Sequence, residues 1–387
     1  MINIRLSHYC RIFIYPIILL LASSVLAVGN AAAETAFFYG ANIPVDQLSL
    51  YQQIVVAPEQ VDTKDENRIF KLSSSKAIAY ISIGEVADNA FYRGDIKPDW
   101  ISGYNSSWQS QVMNLTHSGW HEFLLEQYLP KLIEQGFKGF FMDTLDSYHL
   151  LKLTQQESKD YQQGLVTLIK AIRVKWPGIY LIANRGFEVM PGIASSINEV
   201  AAESLFDGFN AAQSSYQKVP EADRHWLRNQ LQTVKNTYQL PITVIDYLPI
   251  EALNNANNTV RKIARLGFNS WISDGHLTAL GQGNVRPVPR KILAIYENGD
   301  KSLFDSSIHQ ALTTPLEYLG YQMDYLELGI DSLPDYPLNN RYAGIAVWLS
   351  DASLPLVTDM CNWLKDYPKA ANLKVVFISQ IPTRETC

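Results

Sequence analysis

The chain has 387 residues, 47% hydrophobic and 18% charged, with a formal net charge of −6. That balance excludes a disordered or collagen-like polymer and leaves a globular protein long enough for one large domain and a smaller one. An acidic surface repels phosphate backbones, so nucleic acid is excluded as a partner, whereas a cationic polymer would be tolerated or attracted.

The first 33 residues carry a basic start (Arg5, Arg11), an apolar run from Ile12 to Val28, and the small residues Ala31, Ala32 and Ala33. This pattern predicts a secretory signal peptide cleaved near Ala33, hence an exported, periplasmic or secreted protein. A retained membrane anchor is the alternative. Pro16, Ser23 and Ser24 interrupt the run, and the small-residue end favours cleavage. Cys10 precedes the apolar run, where it cannot take a lipid, so no stable membrane anchor is expected after cleavage. Loss of Arg5 and Arg11 moves the formal charge from −6 to −8. Cys361 and Cys387 remain, able to pair in an oxidising compartment but too few to staple a fold. No Cys/His cluster has zinc spacing, and neither metal nor cofactor is expected.

Beyond the leader, short runs rich in Val, Ile, Phe and Tyr alternate with longer stretches of helical periodicity, which is the pattern of repeated βα units. The predicted strands are Phe37–Gly40, Gln53–Ala57, Ala77–Ile83, Gly139–Asp143, Ile179–Asn184, Glu199–Glu203, Ile242–Tyr247 and Ser270–Asp274. Predicted helices include Trp120–Gln135, Gln155–Lys175, Glu221–Tyr238 and Ala252–Leu266. Eight such units suit an α/β fold of the (β/α)8 barrel type over residues 34–280. An open doubly wound sheet is the alternative. The barrel is preferred because Glu85, Asp143, Asp146, Asn184, Arg185, Glu203, Asp246 and Asp274 all fall at or just beyond the C-terminal ends of strands, where barrels build their sites. Residues 281–290, with Gly281, Gly283, Pro287 and Pro289, read as a linker. Residues 291–387 then read as a smaller open α/β domain, Rossmann-like or flavodoxin-like, which stops soon after a strand and so reads as small or cut short. It has no phosphate-binding glycine motif.

The segment Gly139-Phe140-Phe141-Met142-Asp143-Thr144-Leu145-Asp146 is an apolar strand that ends on two acids. Such a strand aims Asp143 at the barrel mouth. Capping of the next helix is the competing duty, and Asp146 is assigned either that duty or a substrate contact. Glu199-Val200-Ala201-Ala202-Glu203 repeats the arrangement two strands later, with a structural ion pair to Arg185 as the bland reading of Glu203. Two carboxyls with different duties are what glycoside cleavage needs, one ionised and one protonated. Polar donors would keep an Asp ionised, and apolar neighbours such as Phe206 would let Glu203 keep its proton.

Around this pair, Glu85 is expected to bind substrate. Asn184 and Arg185 are expected to hold sugar hydroxyls or orient a carboxylate, Arg185 serving equally well as a structural counter-ion. Asp246 with Tyr247, Asp274 beside His276, and Tyr148 complete the expected ring. A long insertion after Glu85 carries Phe91, Tyr92, Trp100, Tyr104 and Trp108, flat faces suited to sugar rings or to loop packing. Tyr92 and Trp100 are the aromatic contacts singled out. No GxSxG or HExxH motif occurs, and His117 and His121 make a poor metal pair across a helix start.

Together, GFFMDTLDSYHL, LIANRGFEVM and EVAAESLF, within a likeness running from about Phe37 to Leu280, resemble the hydrolase domains of the PelA family of Pel exopolysaccharide biosynthesis. They resemble more distantly the endo-α-1,4-polygalactosaminidases of glycoside hydrolase family 114. The resemblance implies a (β/α)8 barrel that hydrolyses a partly deacetylated, α-1,4-linked N-acetylgalactosamine polymer, a cationic amino-sugar polysaccharide. It implies Asp143 as nucleophile and Glu203 as acid/base in a retaining mechanism. PelA-type chains continue into a deacetylase domain whose metal-binding motif these residues lack, so that activity is not implied. The competing reading is a non-catalytic subunit that holds the polymer alongside other exopolysaccharide assembly proteins.

Overall fold

The computed structural model describes residues 34–61, 66–72, 74–297, 302–350 and 355–382; the predicted signal peptide and Cys387 lie outside them. Eight parallel strands form one sheet: β1 (Thr35–Phe38), β2 (Gln53–Val56), β3 (Lys76–Ser82), β4 (Gly139–Asp143), β5 (Tyr180–Asn184), β6 (Glu199–Glu203), β7 (Ile242–Tyr247) and β8 (Asn269–Ser273). Each pairs with its neighbours in chain order. Tyr39 N–H donates to Leu277 O at 2.7 Å, drawing the end of β1 to the loop after β8, so the barrel is nearly closed. The strands are buried on both faces, as parallel sheets wrapped by helices must be.

Alternate residues of a strand share a face, and in a barrel one face points inward. The inward series stack in tiers. At the bottom, Thr35, Tyr180 and Thr243 gather around Glu199. In the middle, Phe37 meets Phe141 edge to face at 5.3 Å. At the top, Tyr39 packs on Tyr80 at 5.1 Å, beside Asp143, Asn184, Glu203 and Tyr247. The outer layer includes Gln155–Lys175, Glu221–Tyr238 and Leu253–Arg265. The first starts on a capping box in which Thr154 and Glu157 bond reciprocally.

Three local features depart from the sequence expectation. The helix expected at Trp120–Gln135 starts at Ser118 and contains a π turn, Leu124–Tyr128, just before Pro130. Proline lacks the N–H that regular helical bonding needs there, and the widened turn accommodates the loss. The insertion after β3 is an ordered antiparallel sheet of Glu85–Ala87, Ser110–Met113 and Ile101–Asn105. A hairpin, Asp207–Asn210 with Ser215–Lys218, follows β6.

A second sheet holds β9 (Lys291–Tyr296), β10 (Gln322–Glu327), β11 (Tyr342–Leu349) and β12 (Val375–Ser379), all parallel, in the order β10-β9-β11-β12. Open doubly wound sheets share that order. Leu293 and Ile295 pack into one apolar cluster and Ala294 and Tyr296 into another, so both faces of β9 are covered. The stretch preceding this sheet lies tightly along the barrel. Ile272 and Gln282 exchange two backbone bonds of 2.8 Å, and Tyr51 Oη donates to Val285 O at 3.0 Å. Among the described residues, no helix is long and apolar enough to cross a membrane.

Candidate active site

Because Gly139, Phe141 and Asp143 share a face, as do Glu199, Ala201 and Glu203, strand periodicity delivers both acids to the mouth. Tyr180, Ile182 and Asn184 do the same on the strand between them. Asn184 joins the two carboxylates: its Nδ2 donates to Asp143 Oδ1 at 2.7 Å and to Glu203 Oε1 at 2.9 Å. Those two oxygens are therefore at most about 5.6 Å apart, the sum of the two distances. Tyr80 Oη donates to Asp143 Oδ2 at 2.8 Å, and Tyr247 Oη donates to Glu203 Oε2 at 2.5 Å. Both acids are partly exposed, so each retains a route to a ligand.

Desolvation raises both carboxyls above the ordinary range. On Asp143 the Tyr80, Asn184 and Thr144 donors oppose it, and on Glu203 the charge of Asp143 adds to it. A mutually repelling pair cannot both ionise freely. Each acid also has opposing partners, Tyr247, Asn184 and the Arg185 charge acting on Glu203 as the three donors act on Asp143. The apolar neighbour expected to protect a proton on Glu203, Phe206, instead lies under Lys262 Nζ at 5.6 Å.

The chain leaves all three strand ends by the same device. Thr144, Arg185 and Ser204, each directly after Asp143, Asn184 or Glu203, adopt φ of 61°, 58° and 62°. Left-handed backbone is costly for such residues and persists only where the surroundings impose it. Here Arg185 N–H donates to Ala201 O and Ser204 N–H to Ile245 O, both at 2.8 Å, while Thr144 Oγ1 accepts from Gly84 N–H at 2.9 Å. A side chain at Gly84 would put its Cβ 2.1 Å from Thr144 O, so glycine is required at that crossing.

Several residues expected to bind substrate hold the framework instead. Glu85 is 5% exposed and accepts from Ser147 Oγ at 2.5 Å, from Asn105 Nδ2 at 3.2 Å, and from Ser110, tying the inserted sheet to the loop after Asp143. Asp246 points away from the lumen, opposite in parity to Tyr247, and accepts from the N–H groups of Leu205, Phe206 and Asp207 at 2.6, 2.8 and 3.0 Å. Asp274 orders its own loop through Ala279 N–H at 2.7 Å and Thr278 Oγ1 at 3.0 Å. Tyr148 is buried and donates to Glu188, linking the loops after β4 and β5. Tyr92 and Trp100 are buried in an aromatic cluster, Tyr92 at 4.5 Å from Tyr128 and Trp100 at 5.9 Å from Phe123. Apolar rings of an ordered insertion pack inward; Phe91, Tyr104 and Trp108 are the ones left exposed.

Arg185 Nη2 donates to the backbone oxygen of Glu203 at 3.1 Å, leaving its charge to act on the carboxyl through space. Asp146 is exposed at the mouth and makes no side-chain cap to the turn it precedes, so the capping expected of it is not made. His121 Nε2 lies 2.7 Å from Leu115 O, and His117 Nδ1 accepts from Gly119 N–H, so both rings are engaged locally. Tyr39 and Tyr80 escaped the sequence reading. Tyr80 was legible in principle: register sets it opposite Phe141, inward and one tier below Asp143.

Residues 29–293 match the model of glycoside hydrolase family GH114. Among solved structures, the chain is similar to the glycoside hydrolase domain of PelA from Pseudomonas aeruginosa, with 31% identity and a TM-score of 0.59 over 65% of this chain and 98% of that one. Two curated relatives match over shorter stretches. An uncharacterised protein of Thermotoga maritima is 23% identical over 143 residues, 33% of this chain and 44% of that protein. One of Methanocaldococcus jannaschii is 33% identical over 91 residues, 22% of this chain and 26% of that protein. The chain thus spans less than half the length of the curated relatives it matches. With a family model covering well over half of the chain and a barrel mouth that presents paired carboxylates, this protein belongs to glycoside hydrolase family GH114.

Proposed function

We propose that the protein is an exported, endo-acting hydrolase of a partly deacetylated, α-1,4-linked N-acetylgalactosamine polymer, with Asp143 as nucleophile and Glu203 as acid/base. The observation that carries this reading is the Asn184 amide shared between the two carboxylates. It supports a short separation, and carboxyls about 5 to 5.5 Å apart suit a retaining mechanism, whereas inversion needs room for water at about 6.5 to 9.5 Å. Glu203 protonates the departing glycosidic oxygen while Asp143 attacks the anomeric carbon. Glu203, now ionised, then takes a proton from the water that releases Asp143.

Tyr80 and Asn184 support an ionised nucleophile, and Tyr247 and Arg185 position the acid. Asp146, exposed beside them, suits a protonated amino group of the polymer. In the same reading the chain divides into a leader, a barrel over 34–280, a linker over 281–290 and an α/β domain over 291–387. The PelA likeness supports a Pel-like polymer and work beside other assembly proteins in the periplasm.

The test is incubation with purified α-1,4-galactosamine polymer, following reducing ends and product length. New internal cleavages that vanish in Asp143→Asn and Glu203→Gln support the proposal. Full activity in both variants would eliminate it. The anomer released first, read by proton NMR, decides the stereochemistry.

A further inference from the structure

Three tyrosines stand in the top tier of the barrel beside the paired carboxyls: Tyr39, Tyr80 and Tyr247. Two of them have committed hydroxyls, Tyr80 Oη donating to Asp143 and Tyr247 Oη to Glu203. The third does not. Tyr39 continues the inward series of Thr35 and Phe37 and packs its ring on Tyr80 at 5.1 Å, yet among the described residues its hydroxyl has no hydrogen-bond partner. The residue is partly exposed, so that hydroxyl is open to the mouth.

The position of Tyr39 is nevertheless fixed. Its N–H donates to Leu277 O at 2.7 Å, and a Cβ on the following Gly40 would lie 3.2 Å from Phe38 and from Thr278, so the chain is held closely on both sides. Burial and the charges of Asp143, Glu203 and Glu59 push the phenol well above its ordinary 10, which keeps it neutral. A hydroxyl without an internal partner contributes no hydrogen bond to folding, although its ring has been ordered with the rest of the tier. Its bonding capacity is free for a ligand, and a ligand's hydroxyl replaces water on it at little cost. A neutral phenol can donate and accept, which matches a sugar hydroxyl; an ammonium is better matched by a carboxylate.

We infer that Tyr39 is a substrate-contacting residue, its Oη hydrogen-bonding a ring hydroxyl of the sugar that lies across Asp143 and Glu203. The inference rests on the hydrolase reading above and adds a group that neither attacks nor protonates. Tyr80 and Tyr247 hold the two acids, and Tyr39 holds the sugar.

The test is Tyr39→Phe, which keeps the ring on Tyr80 and removes only the oxygen. No bond within the protein is lost, so Tm should be unchanged, while kcat/KM for α-1,4-galactosamine polymer should fall at least about tenfold. Both limbs of the pH–rate profile should stay in place, because Tyr39 bonds neither carboxyl. Unchanged kcat/KM overturns the inference and leaves the hydrolase reading intact. A lowered Tm, or a displaced limb, also overturns it, since the hydroxyl would then serve the fold or act through the acids. Should the wild type not cleave the polymer, the hydrolase reading fails, and calorimetric titration of wild type and Tyr39→Phe with the same polymer decides the inference. Binding at least about fivefold weaker in the variant supports it; equal affinity, or no binding to either protein, overturns it.

Discussion

Glu199 and Glu203 lie two tiers apart on the same strand, point into the same lumen and are both inward acids, yet their surroundings differ. Glu199 is fully buried and receives Thr35 at 2.8 Å, Thr243 at 2.6 Å and Tyr180 at 3.2 Å, so its oxygens are saturated by hydroxyls that cannot move. Glu203 faces a second carboxylate through one shared amide and keeps partial exposure. A buried acid becomes chemically available when its partners leave it a fraction short of satisfaction and give it a charged neighbour. Burial alone does not distinguish the two.

The sharpest way to break the comparison is to neutralise each acid in turn. Glu203→Gln should lower kcat for polymer cleavage by at least about 10³-fold with unchanged circular dichroism, since Glu203 is the proposed source of the departing proton. Glu199→Gln should leave kcat within about twofold. An equal loss in both would merge the tiers.

Next in free energy is Glu199→Ala, which abandons three buried donors and opens a cavity; a loss of about 3 kcal/mol in chemical unfolding is expected, with activity per folded molecule retained. Burial raises the Glu199 carboxyl from an ordinary 4.5 to about 7. The folded state therefore binds the proton more tightly than the unfolded chain. The stability this contributes is complete below about pH 4.5 and is lost as pH rises through about 7. Unfolding free energy measured from pH 4 to 8 should fall across that window in the wild type and flatten in Glu199→Gln.

Asn184→Ala removes the donor common to both of the paired carboxylates. A fall in kcat of about 10²-fold is expected. Donation to a carboxylate lowers its pKa, so the acidic limb of the pH–rate profile should move to higher pH. Tyr80→Phe takes away one donor from Asp143 alone. It should cost about tenfold and shift the same limb in the same direction by less. A shift of the alkaline limb in place of the acidic one would reverse the assignment of charge and proton.

Much of the architecture was legible because it rests on local signals. The spans Gly139–Asp143, Glu199–Glu203, Ile242–Tyr247, Gln155–Lys175 and Glu221–Tyr238 occur in the structure as the periodicity predicts. The first two end on the paired acids. The binding ring was less legible. Glu85, Asp246, Asp274, Tyr92, Trp100 and Tyr148 all sit close in sequence to the mouth, but parity and loop packing turn their side chains into the scaffold.

By itself the sequence determined the alternation of strands and helices, and with it the strand ends on which Asp143 and Glu203 stand, because strand period and apolar runs are properties of neighbouring residues. Tertiary structure alone decided that Asn184 would join the two acids, that Tyr80 and Tyr247 would each hold one, and that Glu199 would be sealed. Those outcomes depend on how strands separated by tens of residues align around a closed lumen. Arg341 belongs with them: its bond to Asn42 O and its packing on Phe38 and Tyr336 arise only where the second sheet meets the segment after β1.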